Sequence, residues 1–459
     1  MNTLFARHAL LPQGWRRDVL LEWDADGDLT GVTAGAHAAP DVERAEYVLP
    51  GMVNLHSHAF QRAMGGLTER AGNGPDSFWT WRDLMYRFAA RITPDQVEAI
   101  AAQLFSECLR HGYTALCEFH YLQRDVDGGT YARPAEMAER VAQAGQAAGM
   151  GLTLLPVLYS HAGFGAQPLR QDQRRFRTDV DDVLGIVDAL GAWRGGQLEV
   201  GAAPHSLRAA GIDQVRALAA GLPPERPLHI HIAEQLAEVE GCLASTGQRP
   251  VAYLMDRVAL DARWCLVHAT HLDEAETDAL ARSGAVAGLC PTTEANLGDG
   301  LFPLAPFIAA GGRLGIGSDS HVSQSPVEEL RWLEYGQRLL HRQRNVAHVP
   351  AQRSVADFLW QAALDGGAQA AGRRVGALAA GRRADLLVLD AQHPNLDGVT
   401  DAEVLGRLVF CGNDNLVRDV LCGGRWVVRE GRHVAQEAIG GRYRQAVRQL
   451  RELSQEVAK

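Results

Sequence analysis

Leu49-Pro50-Gly51-Met52-Val53-Asn54-Leu55-His56-Ser57-His58 reads as an apolar strand that closes on two histidines one residue apart. Side chains alternate along a strand, so His56 and His58 face the same side. Further along the chain, apolar segments of strand length recur. The candidate strands are Tyr47–Asn54, Tyr113–Phe119, Gly151–Leu158, Leu198–Ala203, Leu228–Ile232, Trp264–His268, Ala285–Leu289 and Leu314–Gly317. Stretches with 3.6-residue periodicity lie between most of them, among them Thr93–His111, Val180–Trp193 and Val327–Gln343. Eight strands alternating with helices over about 320 residues predict an α/β fold, a (β/α)8 barrel rather than an open doubly wound sheet. At the carboxyl end of a barrel strand, His56 and His58 would face the mouth, where active sites lie.

The flanks differ from this pattern. Val19–Trp23 and Leu29–Val32 read as short strands around a turn at Asp24–Asp28. After about Arg374, strand character returns at Ala384–Leu389, Asp419–Cys422 and Arg425–Arg429. Neither group can bury a core alone. Residues 1–48 and 375–459 are therefore expected to join in one small β domain beside a barrel at 49–374, with a last amphipathic helix from about Arg442 to Val457.

Composition removes several classes of function. Apolar residues make up 46% of the 459 and charged residues 22%, which excludes a disordered chain. A formal charge of −10 argues against nucleic acid or an anionic membrane as partner. No run reaches the 18 or so apolar residues of a membrane span. The first residues lack a basic segment followed by an apolar one, so export is not expected. Of 45 basic residues only Lys459 is lysine. That excludes P-loop kinases, pyridoxal enzymes, Schiff-base aldolases and any site bridged by a carbamylated lysine. Seven scattered cysteines without a C-x-x-C read as free thiols of a reducing compartment, hence a cytoplasmic protein.

Four groups of residues could carry chemistry. With 17 histidines in the chain, the H-x-H at His56 and His58 is close to what chance supplies, and a second stands at His229/His231. By alternation His229 and His231 share a face and both could reach the mouth. Glu234 follows where the chain should leave the strand, and a carboxylate beside an activated water is a natural proton shuttle. A hydrogen-bonded histidine pair and a solvated glutamate would give the same letters. His268 ends the sixth strand and Asp319 follows the eighth; a carboxylate at the tip of an apolar strand is costly unless paired or bound to a metal. Each is ambiguous alone. Together, strands one, five, six and eight deliver histidines or a carboxylate to one rim, a nitrogen and oxygen set suited to zinc with an open position for water.

The series H-x-H, H-x-x-E, H and D resembles the amidohydrolase superfamily in its mononuclear aminohydrolase branch. The resemblance runs over nearly the whole chain, including Leu49–Asn54 and the late stretch Gly381–Asp390. It implies one divalent metal, with zinc favoured over iron or manganese, held by His56, His58, His231 and Asp319. It also implies proton transfer by Glu234 and polarisation of the attacking water or intermediate by His268. The near absence of lysine agrees with a single ion, because binuclear relatives often use a carbamylated lysine.

Within that branch the chain is similar to the N-formimino-L-glutamate deiminase family of histidine degradation. The matching stretches are His56–Arg62, Phe78–Arg82, Cys117–Tyr121 and Ala203–Arg208. The implied substrate is a small dicarboxylate with a cationic formamidine head, hydrolysed to an N-formyl product and ammonia. Such a pocket should hold fixed cations away from the metal. Arg82 and Arg208 suit that role, because guanidinium grips carboxylate with two parallel hydrogen bonds. Gln61, Tyr121 and His205 are expected to add polar contacts. The resemblance further implies a homodimer. Three readings compete: a deaminase of guanine or an adenosine derivative, a cyclic amidohydrolase such as imidazolonepropionase, and a barrel retained as a non-catalytic scaffold. His229, His271 and His321 remain without a role at this stage.

Overall fold

The computed structural model describes residues 2–69, 77–193 and 196–456. Its barrel strands are Met52–Ser57, Tyr113–His120, Gly151–Leu158, Leu198–Val200 continued by Ala203–Pro204, Leu228–Ile232, Trp264–His268, Val286–Leu289 and Arg313–Ile316. The first four pair in parallel in that order, and so do the last four. Parallel bridges from Ala202 to Leu228 and from Ser57 to Asp319 close the two runs into a ring. The (β/α)8 expectation holds, and three strands have the bounds read from the sequence. These strands are buried along their whole length, which is why they read as continuous apolar runs.

The expected first strand is in fact two. Arg44–Pro50 belongs to a separate eight-stranded sheet, and the barrel strand begins only at Met52. Gly51 is the break. Its N–H donates to the Asp385 carbonyl, and a Cβ there would come within 2.1 Å of Thr114 Oγ1. An unbroken apolar run carries no mark of this change of sheet.

The separate sheet runs in the order Arg432–His433, Arg425–Arg429, Val417–Cys422, Leu386–Leu389, Arg44–Pro50, Asn2–Leu11, Gly14–Trp23 and Leu29–Thr33. Strands from both ends of the chain therefore share one sheet, as the fold expectation required. Leu4, Val19, Leu21, Trp23, Leu386, Val388 and Leu421 form its own core. Asn2–Leu11 was not foreseen: Leu4, Phe5 and Ala6 are buried in succession, so alternation is missing.

The helix Pro94–Arg110 is capped by Thr93, whose hydroxyl accepts from the Gln96 N–H at 3.3 Å. Helix Val180–Gly191 is capped by Asp179 in the same way, at 2.8 Å. The last helix runs Gln436–Glu456, starting before the expected Arg442; its expected end, Val457, lies outside the described residues. It continues through Gly440 and Gly441 because buried Ile439 anchors the earlier turn. Beneath the barrel, the helix Val355–Ala371 brings Gly366 and Gly367 against Leu314 and Val53.

Candidate metal centre and active site

His56 and His58 end the first barrel strand with their Nε2 atoms 3.1 Å apart. Leu55 points into the barrel, where it packs with Cys265, Val267, Val286 and Ala370. A register shift against the second strand between Asn54 and Ser57 then lets both histidines face the mouth. His231, from the fifth strand, brings its Nε2 to 3.0 Å from that of His56. Asp319 Oδ1 lies 3.5 Å from His56 Nε2 and 3.3 Å from His58 Nε2. The four residues implied as ligands thus meet at one point.

The donor chemistry fits a cation. His58 Nδ1 donates to the Phe119 carbonyl at 2.8 Å, and His231 Nδ1 to the His205 carbonyl at 3.0 Å. A carbonyl only accepts, so each ring carries its proton on Nδ1 and presents a bare lone pair at Nε2. Both lone pairs aim at His56 Nε2, which has at most one proton to give. At least one approach therefore sets lone pair against lone pair unless a positive ion lies between them. Burial pushes the His58 and His231 rings below the usual histidine range and His56 to about 3, so the imidazoles stay neutral. Among the described residues, three groups could hold a metal: His56, His58 and His231; His56, His268 and Asp319, which shares His56 with the first; and His268, Cys290 and Glu294.

Backbone strain aims several of these groups. Ala233, His268, Ala269, Asp319 and His321 all have left-handed φ, between 43° and 67°, at the ends of strands five, six and eight. Cys265 and Val267 pack inside the barrel, so strict alternation would send His268 outward; its φ of 67° turns it to the mouth. Asp319 is fixed by the strand it follows and the one beside it, its N–H donating to the His56 carbonyl at 3.0 Å.

His268 joins three carboxylates. Its Nε2 lies 3.9 Å from Glu234 Oε1 and 3.9 Å from Asp319 Oδ2, and its Nδ1 donates to Glu294 Oε1 at 3.3 Å. Burial alone would lower its pKa, but Glu234, Glu294 and Asp319 outweigh that and push it up to about 10. Burial raises Glu234 to about 7, against the pull of His268 and Arg208. Burial also works to raise Asp319, yet His56, His58 and His268 hold it well below the usual carboxylate range.

A pocket opens from this centre. Gln61, Arg82, Tyr121, His205 and Arg208 all line it, together with His58, His231, Glu234, His268 and Asp319. Gln61 Nε2 donates to Tyr121 Oη at 2.9 Å, and Gln61 Oε1 is buried without a partner. His205 Nδ1 pairs with Ser206 Oγ at 3.1 Å. The Arg82 and Arg208 guanidiniums lie 4.5 and 5.7 Å from the Trp79 ring centre. The Nε of each is buried without a hydrogen-bond partner. Two cations thus stand in the same pocket as the histidine cluster.

The other histidines separate cleanly. His229 does not reach the mouth: its Nε2 donates to the Ala370 carbonyl at 2.8 Å, one layer deeper in the barrel. Side chains two residues apart on a strand are displaced by about 6.6 Å, so one face does not mean one depth. His321 spends its ring nitrogens on Ser57 Oγ at 3.1 Å and Ser318 Oγ at 3.0 Å. His271 packs against Gly300, its Nε2 without a partner. Sequence reasoning missed Glu238, Glu294 and Tyr159. Helix glutamates usually face water, and nothing in the letters shows that Glu238, in the first turn of Leu236–Thr246, folds back onto the Glu234 N–H before that helix.

A profile described as "Amidohydrolase family" matches residues 47–427. The chain belongs to the amidohydrolase family. Residues 1–46 match a profile described as the N-terminal domain of formimidoylglutamate deiminase HutF. A formimidoylglutamate deiminase of Pseudomonas aeruginosa is 54% identical over 451 residues, covering 98% of this chain and 100% of that one. A 5-methylthioadenosine/S-adenosylhomocysteine deaminase of Haloarcula marismortui is 27% identical, covering 90% of this amidohydrolase and 89% of the relative. Among solved structures, an amidohydrolase from Brucella melitensis superposes with a TM-score of 0.93 at 44% identity, over 98% of this chain and all of that one. The chain is a hydrolase of carbon–nitrogen bonds. No helix among its described residues is long and apolar enough to cross a membrane.

Proposed function

We propose that this amidohydrolase hydrolyses N-formimino-L-glutamate to N-formyl-L-glutamate and ammonia in histidine breakdown. The observation that carries the reading is the pair of guanidiniums, Arg82 and Arg208, in the same pocket as the converging imidazoles. A dicarboxylate needs two such cations, whereas a purine would call for amide and aromatic partners. The 54% identity to a formimidoylglutamate deiminase supports the same substrate.

His56, His58, His231 and Asp319 are the residues that would hold the metal, and zinc suits three imidazoles and a carboxylate. A divalent ion there supplies Lewis-acid activation of water. Asp319, held ionised, accepts a proton from the attacking water as its oxygen adds to the formimino carbon. Cationic His268 faces the charge that develops on the tetrahedral carbon's substituents. Glu234 exchanges protons near neutral pH and delivers one to the departing nitrogen, which leaves as ammonia when the carbon–nitrogen bond breaks. The hydroxyl proton of the addition product restores Glu234 as the formyl C=O forms, and the proton on Asp319 passes to the released ammonia. Arg82 and Arg208 bind the two carboxylates, and Gln61, Tyr121 and His205 orient the chain between them. Seven free cysteines, six of them buried, suit a reducing cytoplasm, and a homodimer is the assembly proposed.

Ammonia release from formiminoglutamate, guanine and adenosine, together with the disappearance of imidazolonepropionate, whose ring opening frees no ammonia, tests this directly. Turnover of formiminoglutamate alone is expected. Faster release from guanine or adenosine would overturn the assignment.

A further inference from the structure

Glu238 is wholly buried, in the first turn of the helix Leu236–Thr246, and none of the proton transfers above uses it. Its two oxygens serve different neighbours. Oε2 accepts the Glu234 backbone N–H at 3.2 Å, just after the left-handed Ala233. Oε1 has no hydrogen-bond partner and lies 3.9 Å from Arg208 Nε, which is equally without one. Arg208 in turn reaches to 4.0 Å from Glu234 Oε2 through its Nη2. The Trp79 ring centre lies 5.7 Å from its guanidinium carbon.

A buried carboxylate is retained only where it is paired, because an uncompensated charge away from water is costly. Here the compensation is Arg208, and the carboxylate simultaneously fixes the backbone from which Glu234 projects. We propose that Glu238 is a positioning residue that holds the Arg208 guanidinium toward the pocket and ties this anion-binding group to the turn that carries Glu234. Without it, Glu234 is the remaining carboxylate beside Arg208, and the guanidinium is free to leave the position from which it meets a substrate carboxylate. The inference rests on the proposed dicarboxylate substrate and adds the element that makes one of its two clamps rigid.

Glu238→Gln separates the two tasks. The amide oxygen still accepts the Glu234 N–H, but the charge facing Arg208 is gone. We expect kcat/KM for formiminoglutamate to fall at least about tenfold, mostly through KM, as for loss of a charge-assisted contact. An N-alkylformamidine without carboxylates, which does not use Arg208, should lose less than about threefold. Glu238→Ala also removes the acceptor for the Glu234 N–H, so kcat should fall on both substrates. In an Arg208→Ala background, Glu238→Gln should cost less than about twofold, the non-additivity expected of two residues that act through one contact. Metal content and melting temperature, measured in every variant, identify any that misfolds, and the double-mutant cycle is read only among those that match wild type. Equal losses on the substrates with and without carboxylates, or full additivity with Arg208→Ala, overturn the positioning role while leaving the deiminase reading intact. Wild-type protein that does not turn over formiminoglutamate overturns both.

Discussion

The Nε2 atoms of His56 and His231 lie 3.0 Å apart although the two residues come from strands on different arcs of the barrel, 175 positions apart in the chain. His231 is held in place by the His205 carbonyl, as His58 is by that of Phe119, so two of the converging neutral imidazoles are preorganised for a cation, the cost of aligning them having been met in folding. The same arrangement makes the centre sensitive to the loss of any one member.

His56→Ala, His58→Ala, His231→Ala and Asp319→Ala should each lower metal affinity by more than about 100-fold, beyond the usual cost of losing a residue that merely supports a ligand. Elemental analysis after dialysis, with ammonia release on the same samples, checks this. Full metal content and normal turnover in Asp319→Ala would remove that residue from the centre.

The pKa of Glu234 near 7 sets a pH dependence. Its protonated form gives the proton to the departing nitrogen, so kcat/KM should fall as pH rises through about 7, approaching tenfold per unit. Glu234→Gln should keep its metal, lose roughly 10²-fold in kcat, and lack that limb. A limb of unchanged position in the variant would assign it to another group.

Arg82→Ala and Arg208→Ala should each cost roughly 10- to 150-fold in kcat/KM on formiminoglutamate, from about 1.5–3 kcal/mol per charge-assisted contact. Lysine at either position should restore only part, because a point charge lacks the planar fork. The comparison substrate is an N-alkylformamidine that lacks carboxylates. Equal losses on both compounds would make the arginines structural and favour a heterocycle as substrate.

Gly366 offers a stability test far from the chemistry. In an exposed helix, glycine to alanine gains about 1 kcal/mol. Here a Cβ would lie 1.9 Å from the Leu314 carbonyl oxygen, under the barrel floor. Gly366→Ala should therefore destabilise, by about 1–3 kcal/mol as in other overpacked cores. Thermal unfolding gives the sign, and a raised melting temperature would show that the floor can yield.

The sequence by itself determined the barrel strands Gly151–Leu158, Leu228–Ile232 and Trp264–His268, because strands buried on both faces are uninterrupted apolar runs. It also brought out the H-x-H, the H-x-x-E and the late histidine and aspartate, polar residues at or just beyond the tips of such runs, whereas the two arginines came from the family resemblance, Arg82 lying in the helix Phe78–Ala89. Depth and direction were decided only in three dimensions. His231 meets His56 while His229, on the same strand face, bonds to Ala370, since position along the barrel axis depends on stagger between strands. Gly51 moves the chain from one sheet to another through a close approach to Thr114 that no periodicity records. Glu238 and Glu294 look like solvated helix residues in one dimension. Packing buries them against Arg208 and His268, and burial is what turns an ordinary carboxylate into a counter-charge for the site.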